Sequence, residues 1–189
     1  VLTQAQSAYL GLKRSAKAIR GKGANIFTQW VGDPDALGSA VLLSAVLRGL
    51  GAEEVRILTG SLGHPQNRNL VARCGIRLQH HNKERLRGGL HCMVDTSPPL
   101  GILATPGVDP VKDYFFVADH HADPAEVEEN CRARGVRRVR LPFVGLAVGS
   151  TSAFMAVIAA AFDVRDELRP EQKAAAALGI YTDTSALLH

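Results

Sequence analysis

Aromatic residues are scarce in this chain. Phe, Trp and Tyr together make up 5% of it, with one Trp, too few to advertise the stacking platform that holds single-stranded nucleic acid. The three cysteines, Cys74, Cys92 and Cys131, are far apart and odd in number. No pair has metal-ligand spacing, so a disulfide framework and a zinc site are both disfavoured, and reduced thiols in a cytoplasmic protein are expected. No apolar run reaches the roughly 18 residues a membrane helix needs. The opening "VLTQAQSAYLGLKRSAKAIR" reads as an amphipathic helix rather than a secretory signal. Strong charge of one sign is missing too. A net +4 is compatible with an anionic ligand but selects none.

What is present suits a globular domain. With 46% apolar residues among 189, the chain can bury one substantial core. It begins at Val1 and stops at "TDTSALLH", and we expect a piece of a longer protein with a C-terminal continuation. No repeat, low-complexity stretch or linker divides it.

Periodicity predicts the elements. Residues 3–20 carry helical spacing (Tyr9, Leu12, Ala16, Ile19) closed by "GKG". A strand is expected at "NIFTQWV" (25–31), then a helix over "DPDALGSAVLLSAVLRGLG". "EVRILTG" (54–60) is a strand and "HPQNRNLVARCG" a short helix. "LHCMVDTSPP" (90–99) is a strand with a Pro-stopped end, "DYFFVADHHADP" another, and 136–148 holds one or two more. "GSTSAFMAVIAAAFD" opens a helix, and "RPEQKAAAALGIYTDT" is a last helix running into a loop. Strands alternating with helices in this way predict an α/β fold, an open, mainly parallel β-sheet with helices on both faces, in one domain over 1–189. Ligands of such sheets gather beyond the carboxyl ends of the strands.

Those ends are rich in acids and imidazoles. Asp33 and Asp35 follow the first strand, Asp95 the 90–99 strand, Asp119, His120 and His121 the next, and Asp183 the final helix. Five carboxylates converging on one rim repel one another unless cations neutralise them. Carboxylate with imidazole suits an ion such as Mn²⁺; an all-oxygen set would suit Mg²⁺ or Ca²⁺ better. With this many ligands two ions could share a bridging carboxylate and hold a phosphate, which is the layout of hydrolytic phosphoryl chemistry. Taken singly, each block has a plainer reading: "DPD" a turn, Asp95 a loop cap, the histidines a solvated pair, Asp183 an N-cap. Their joint placement argues against four coincidences.

"GDPDALGSA", "VDTSPP", "ADHHADP", "GSTSAF" and "YTDT" together resemble, in order and spacing, the DHH-family phosphoesterases, a superfamily with RecJ-type exonucleases, nano-RNA oligoribonucleases, cyclic dinucleotide phosphodiesterases and a manganese pyrophosphatase. The likeness runs from Ile26 to the end of the chain. It implies a Rossmann-like catalytic domain with two Mn²⁺ sites, or Mg²⁺ in their place, acting on a short oligonucleotide or small nucleotide. Asp33 would bind the first ion and Asp35 the second. Asp95 would bridge them and orient the attacking water; His120 and Asp183 would complete the second set. His121 would face the substrate phosphate, and Asp119 would fix a histidine tautomer. Asn67 and Arg68, in "GHPQNRNLV", would lie beside the phosphate, with an ordinary surface helix as the alternative. For Ser150 and Thr151, N-capping is favoured over an anion site. The run "CRARGVRRVR" is read as a charged edge strand that discourages pairing.

Two departures matter. The family's first block begins with a histidine; here Gln29 stands in its place, a neutral and weaker ligand, and Gly32 replaces a proline. The first ion should bind less tightly. The family's smaller, substrate-gripping domain has no counterpart in 1–189. The main expectation is a manganese-dependent phosphoesterase. Its rivals are a catalytically silent module binding nucleotide or RNA, and a pyrophosphatase-type phosphoanhydride hydrolase. No membrane partner is expected, and a domain presenting its cleft this way is expected to pair with a second copy.

Overall fold

The structure, a computed structural model, describes residues 2–80, 89–98 and 111–184. Pro99, expected to end the 90–99 strand, and the tail from Ser185 lie outside the described residues. The elements run α1 (Leu2–Arg14), α2 (Ala16–Ile19), β1 (Gly23–Phe27), α3 (Pro34–Gly49), β2 (Glu54–Thr59), α4 (Pro65–Cys74) and β3 (Leu78–His80). Then come β4 (Leu90–Val94), β5 (Asp113–Asp119), α5 (Pro124–Ala133), β6 (Arg138–Val144), α6 (Thr151–Ala161), a 3-10 turn (Val164–Glu167) and α7 (Pro170–Asp183).

The strands form one sheet in the order β3-β2-β1-β4-β5-β6, and every pairing between them is parallel. Strand order reverses between β1 and β4, so the loops after these two strands part there and leave a crevice at the carboxyl rim. Register sorts the side chains onto two faces, because neighbours on a strand point opposite ways. Ile57, Ile26, Cys92 and Phe116 stand in one row across the sheet, and Leu58, Phe27, Met93 and Val117 in the next. The first row belongs to the larger core under α1, α3, α6 and α7. The second belongs to a smaller core with Val136, Val139 and Val144. Right-handed crossovers put α3 and α4 on the first face and α5 on the second, so helices cover both faces.

α3 is the central post. Every residue from Asp35 to Leu47 is buried, as expected of a helix packed on all sides. Two glycines set how closely its neighbours approach. A Cβ on Gly38 would lie 2.7 Å from Ser152 Oγ and 3.0 Å from Ala176 Cα; one on Gly179 would lie 2.7 Å from the Pro34 carbonyl oxygen. Only glycine lets the start of α6 and the last turns of α7 close on the N-terminus of α3.

Some expectations shift. The 3–20 helix breaks at the buried Ser15. β1 ends at Phe27 instead of Val31, because the chain must leave the ladder to carry residues 28–33 onto the rim; an isolated bridge, Val31 to Ser61, follows it. β3 is too short for periodicity to show. α5 was not predicted, although Asp123 caps it through the Ala125 and Glu126 amides and Pro124 opens it. β6 is an edge strand with Arg138, Arg140 and Pro142 exposed on alternate positions, the guarded edge the arginine run suggests.

Candidate metal centre

The rim at the β1/β4 crevice collects the residues singled out above. Asp95 directly follows β4, with its backbone in the left-handed region (φ 58°), which Asp tolerates better than most residues. Its amide donates to the Ala118 carbonyl at 2.8 Å, and its Oδ1 accepts from Thr151 Oγ1 at 3.1 Å. His120 directly follows β5. Its Nε2 lies 3.7 Å from Asp35 Oδ2, 3.6 Å from Asp95 Oδ1 and 3.2 Å from Asp183 Oδ2. Three carboxylates from three elements thus meet one imidazole nitrogen. Asp183 is the last residue of α7 rather than part of the loop after it.

Asp35 is fixed by the start of α6. Its Oδ1 accepts from Ser150 Oγ at 2.9 Å and the Ser152 amide at 2.8 Å, and its Oδ2 from the Thr151 amide at 2.7 Å. The otherwise unpaired amides of the helix N-terminus therefore receive an anion supplied by α3. Ser150 also caps α6 through the Ala153 amide, the role favoured from sequence. Asp33 caps α3, accepting from the Ala36 amide at 2.9 Å, and its other oxygen accepts a short hydrogen bond from the Gln29 side-chain nitrogen.

His121 stands beside His120, ring centroids 3.9 Å apart, and is exposed. Its Nδ1 lies 3.1 Å from Asp119 Oδ1, which also accepts from the His121 amide at 3.0 Å. A carboxylate here accepts, so Nδ1 carries the proton and Nε2 is left for a ligand. Ser97 Oγ donates to the other oxygen of Asp119 in a short hydrogen bond. His121, Asp95, Gln29, Ser97 and Asp119 line a cleft of about 340 Å³ that runs on to Glu126 and Asn130 of α5.

Charge crowding leaves a mark. The Asp95 carboxyl is pushed up to about 9, by burial first and then by Asp35 and Asp33. Asp183 is raised by burial and the same two acids, with His120 and His121 pulling the other way. Among the described residues Asp95 Oδ2 and His120 Nε2 are buried without a hydrogen-bond partner; the 3.2 Å approach of Asp183 to that nitrogen is an ion-pair distance without hydrogen-bond alignment. Buried polar atoms are normally satisfied. Ligand atoms of Asp95, His120, His121 and Asp183 all lie within 4.8 Å of one another, and this set of two carboxylates and two imidazoles fits a divalent cation.

Two expected phosphate contacts sit elsewhere in the hydrogen-bond network. Asn67 is buried and donates to the Gly32 carbonyl at 2.9 Å, shaping the first acidic loop, while the exposed Arg68 donates to the Leu62 carbonyl. Sequence reasoning missed the Thr151 bond to Asp95 and the Ser97 bond to Asp119. The signal for both was small hydroxyl residues directly after the acidic strand end and at the helix start.

No family model and no curated protein matches the sequence. A solved structure is similar in fold. It is an exopolyphosphatase-related protein from Bacteroides fragilis, with a TM-score of 0.67 and 14% identity. The match covers 95% of this chain and 52% of that one, so the chain spans about half the neighbour's length. At that identity the likeness establishes the fold: an α/β chain with an open parallel sheet. Among the described residues no helix is long and apolar enough to cross a membrane.

Proposed function

We propose that the protein is a divalent-cation-dependent phosphoesterase of the DHH kind, with residues 1–189 as its catalytic domain. Asp35, Asp95, His120 and Asp183 hold the cation, and His121 meets the substrate phosphate. The observation that carries this reading is the convergence of three carboxylates on His120 Nε2 with two buried polar atoms left unpartnered. Without a cation that arrangement sets acid against acid in a desolvated pocket.

When bound, the cation supplies a Lewis acid for a phosphoryl oxygen and makes water a nucleophile at neutral pH. Mn²⁺ suits the mixed oxygen and nitrogen donors, with Mg²⁺ as the alternative. The protein's own groups do the rest. The α6 N-terminus holds Asp35 in place, and Thr151 does the same for Asp95. Asp119, held by Ser97, keeps the proton on His121 Nδ1 and stabilises the imidazolium formed when Nε2 is also protonated. That imidazolium then donates to a phosphate oxygen as charge develops. Substrates of this shape are short oligonucleotides, cyclic dinucleotides and small phosphorylated nucleotides.

The exopolyphosphatase-related neighbour supports phosphate hydrolysis in general and keeps phosphoanhydrides in view. Gln29 favours a second reading, a silent module that binds nucleotide or RNA. The test is hydrolysis by the protein, with Mn²⁺ or Mg²⁺, of a short oligoribonucleotide, a cyclic dinucleotide, a nucleoside 3′,5′-bisphosphate and pyrophosphate. Turnover of a phosphoester is expected, falling at least ~10²-fold in His121→Ala. Turnover of pyrophosphate alone moves the reading to phosphoanhydrides. No turnover despite bound cation leaves the silent module.

A further inference from the structure

We infer that the centre is mononuclear: one resident cation sits among Asp35, Asp95, His120 and Asp183, and the Gln29 amide closes the position where a second ion would bind Asp33. The inference rests on the phosphoesterase reading of the same site but concerns how many ions it holds.

The two halves of the rim are built differently. On one side, three carboxylate oxygens approach His120 Nε2 within 3.2–3.7 Å, and Asp95 Oδ2 and that nitrogen are buried and unpartnered. This half is incomplete without a positive centre. On the other side, Asp33 is already served. One oxygen accepts from the Ala36 amide and the other from the Gln29 side-chain nitrogen; Asp35 is likewise bonded through both oxygens, but its Oδ2 also approaches His120 Nε2, and among the described residues Asp33 has no such imidazole neighbour. An amide donor gives an anion its hydrogen bond without bringing a charge. Gln29 thus meets Asp33's need for a partner while offering a cation an N–H, the wrong end of the group. For a second ion to bind, the amide must turn its oxygen inward, giving up the bond to Asp33 for a neutral, weak ligand.

The arrangement has a chemical consequence. With one cation instead of a bridged pair, a bound phosphate loses a second counter-charge. Among the described residues that line the cleft, His121, exposed and backed by Asp119, is then the side chain placed to supply it.

The test is Mn²⁺ titrated calorimetrically into the chelator-stripped protein, with electron paramagnetic resonance on the loaded sample. The expected result is one ion per chain and an uncoupled Mn²⁺ spectrum, with Gln29→His binding two and showing the exchange coupling of ions roughly 3.5–4 Å apart. Asp33→Asn, which keeps the α3 cap, is expected to change the affinity of the single ion by less than about fivefold. Two ions in the parent overturn this inference and leave the phosphoesterase reading standing. A loss of binding in Asp33→Asn makes Asp33 a ligand and also overturns it, as does a histidine variant that still takes one ion. No binding in any version removes the cation and the proposed function together.

Discussion

Replacing Asp95 with Asn in chelator should stabilise the protein at neutral and alkaline pH and flatten its stability profile. Asp95 is 2% exposed, and its carboxyl is raised from 3.8 to about 9 by burial, Asp35 and Asp33. The folded state therefore keeps a proton that the unfolded chain releases above about pH 4. Because the folded form binds the extra proton, stability is full below the unfolded value and declines as pH rises towards 9. One proton corresponds to about 1.4 kcal/mol per pH unit, so moving from pH 5 to 8 sets a ceiling of about 4 kcal/mol. Relaxation beside an open cleft lowers the expected loss to about 2 kcal/mol. Asn keeps the shape and cannot ionise. Urea unfolding at pH 5, 6.5 and 8 with chelator should show wild-type stability falling along this slope and Asp95→Asn nearly level. Parallel profiles would refute the reasoning, because the crowding at Asp95 would then have no thermodynamic weight.

Two further perturbations probe how the site is held. Gly179→Ala places a methyl group against the Pro34 carbonyl and should cost about 1–3 kcal/mol by overpacking; it should also weaken Mn²⁺ binding, because Asp183 lies one turn further along α7, and calorimetry checks both. Ser97→Ala removes the hydroxyl that holds Asp119 and should lower kcat about 10-fold with little change in KM; ¹⁵N NMR of His121 should show the Nδ1–H form less populated.

Much of this architecture was legible in the sequence because it rests on local patterns. The apolar strands ending in acids read directly, and so did α3, which is mainly apolar and opens with Asp-Pro-Asp. The candidate residues Asp95, His120 and Asp183 were placed on the right ends of elements by the rule that parallel sheets present ligands at one rim. What the sequence could not display depended on pairs far apart in the chain. Nothing local marks Gly38 and Gly179, because their need for a bare backbone comes from the contact of α3 with α6 and α7. Asp35 read only as a ligand, whereas the structure shows it bonded to the start of α6 across more than a hundred residues. Gln29 read as a weaker ligand, but only its partner, Asp33, shows which end of the amide faces inward. β3 was missed for brevity. α5 was missed although its capping residues were in plain sight.

The dispersal of the cluster has a kinetic meaning. Asp35, Asp95, His120 and Asp183 come from α3, the ends of β4 and β5, and the end of α7, so no short loop closure brings even two of them together. Small zinc domains form their metal site between neighbouring residues, and the ion itself drives folding. Here the parallel sheet must pair and α7 must dock before the last member of the cluster arrives, a route dominated by distant contacts and correspondingly slow. A cation bound there, as proposed, would act as a latch on a finished structure. It would leave the rate of folding largely untouched and show itself in slower unfolding.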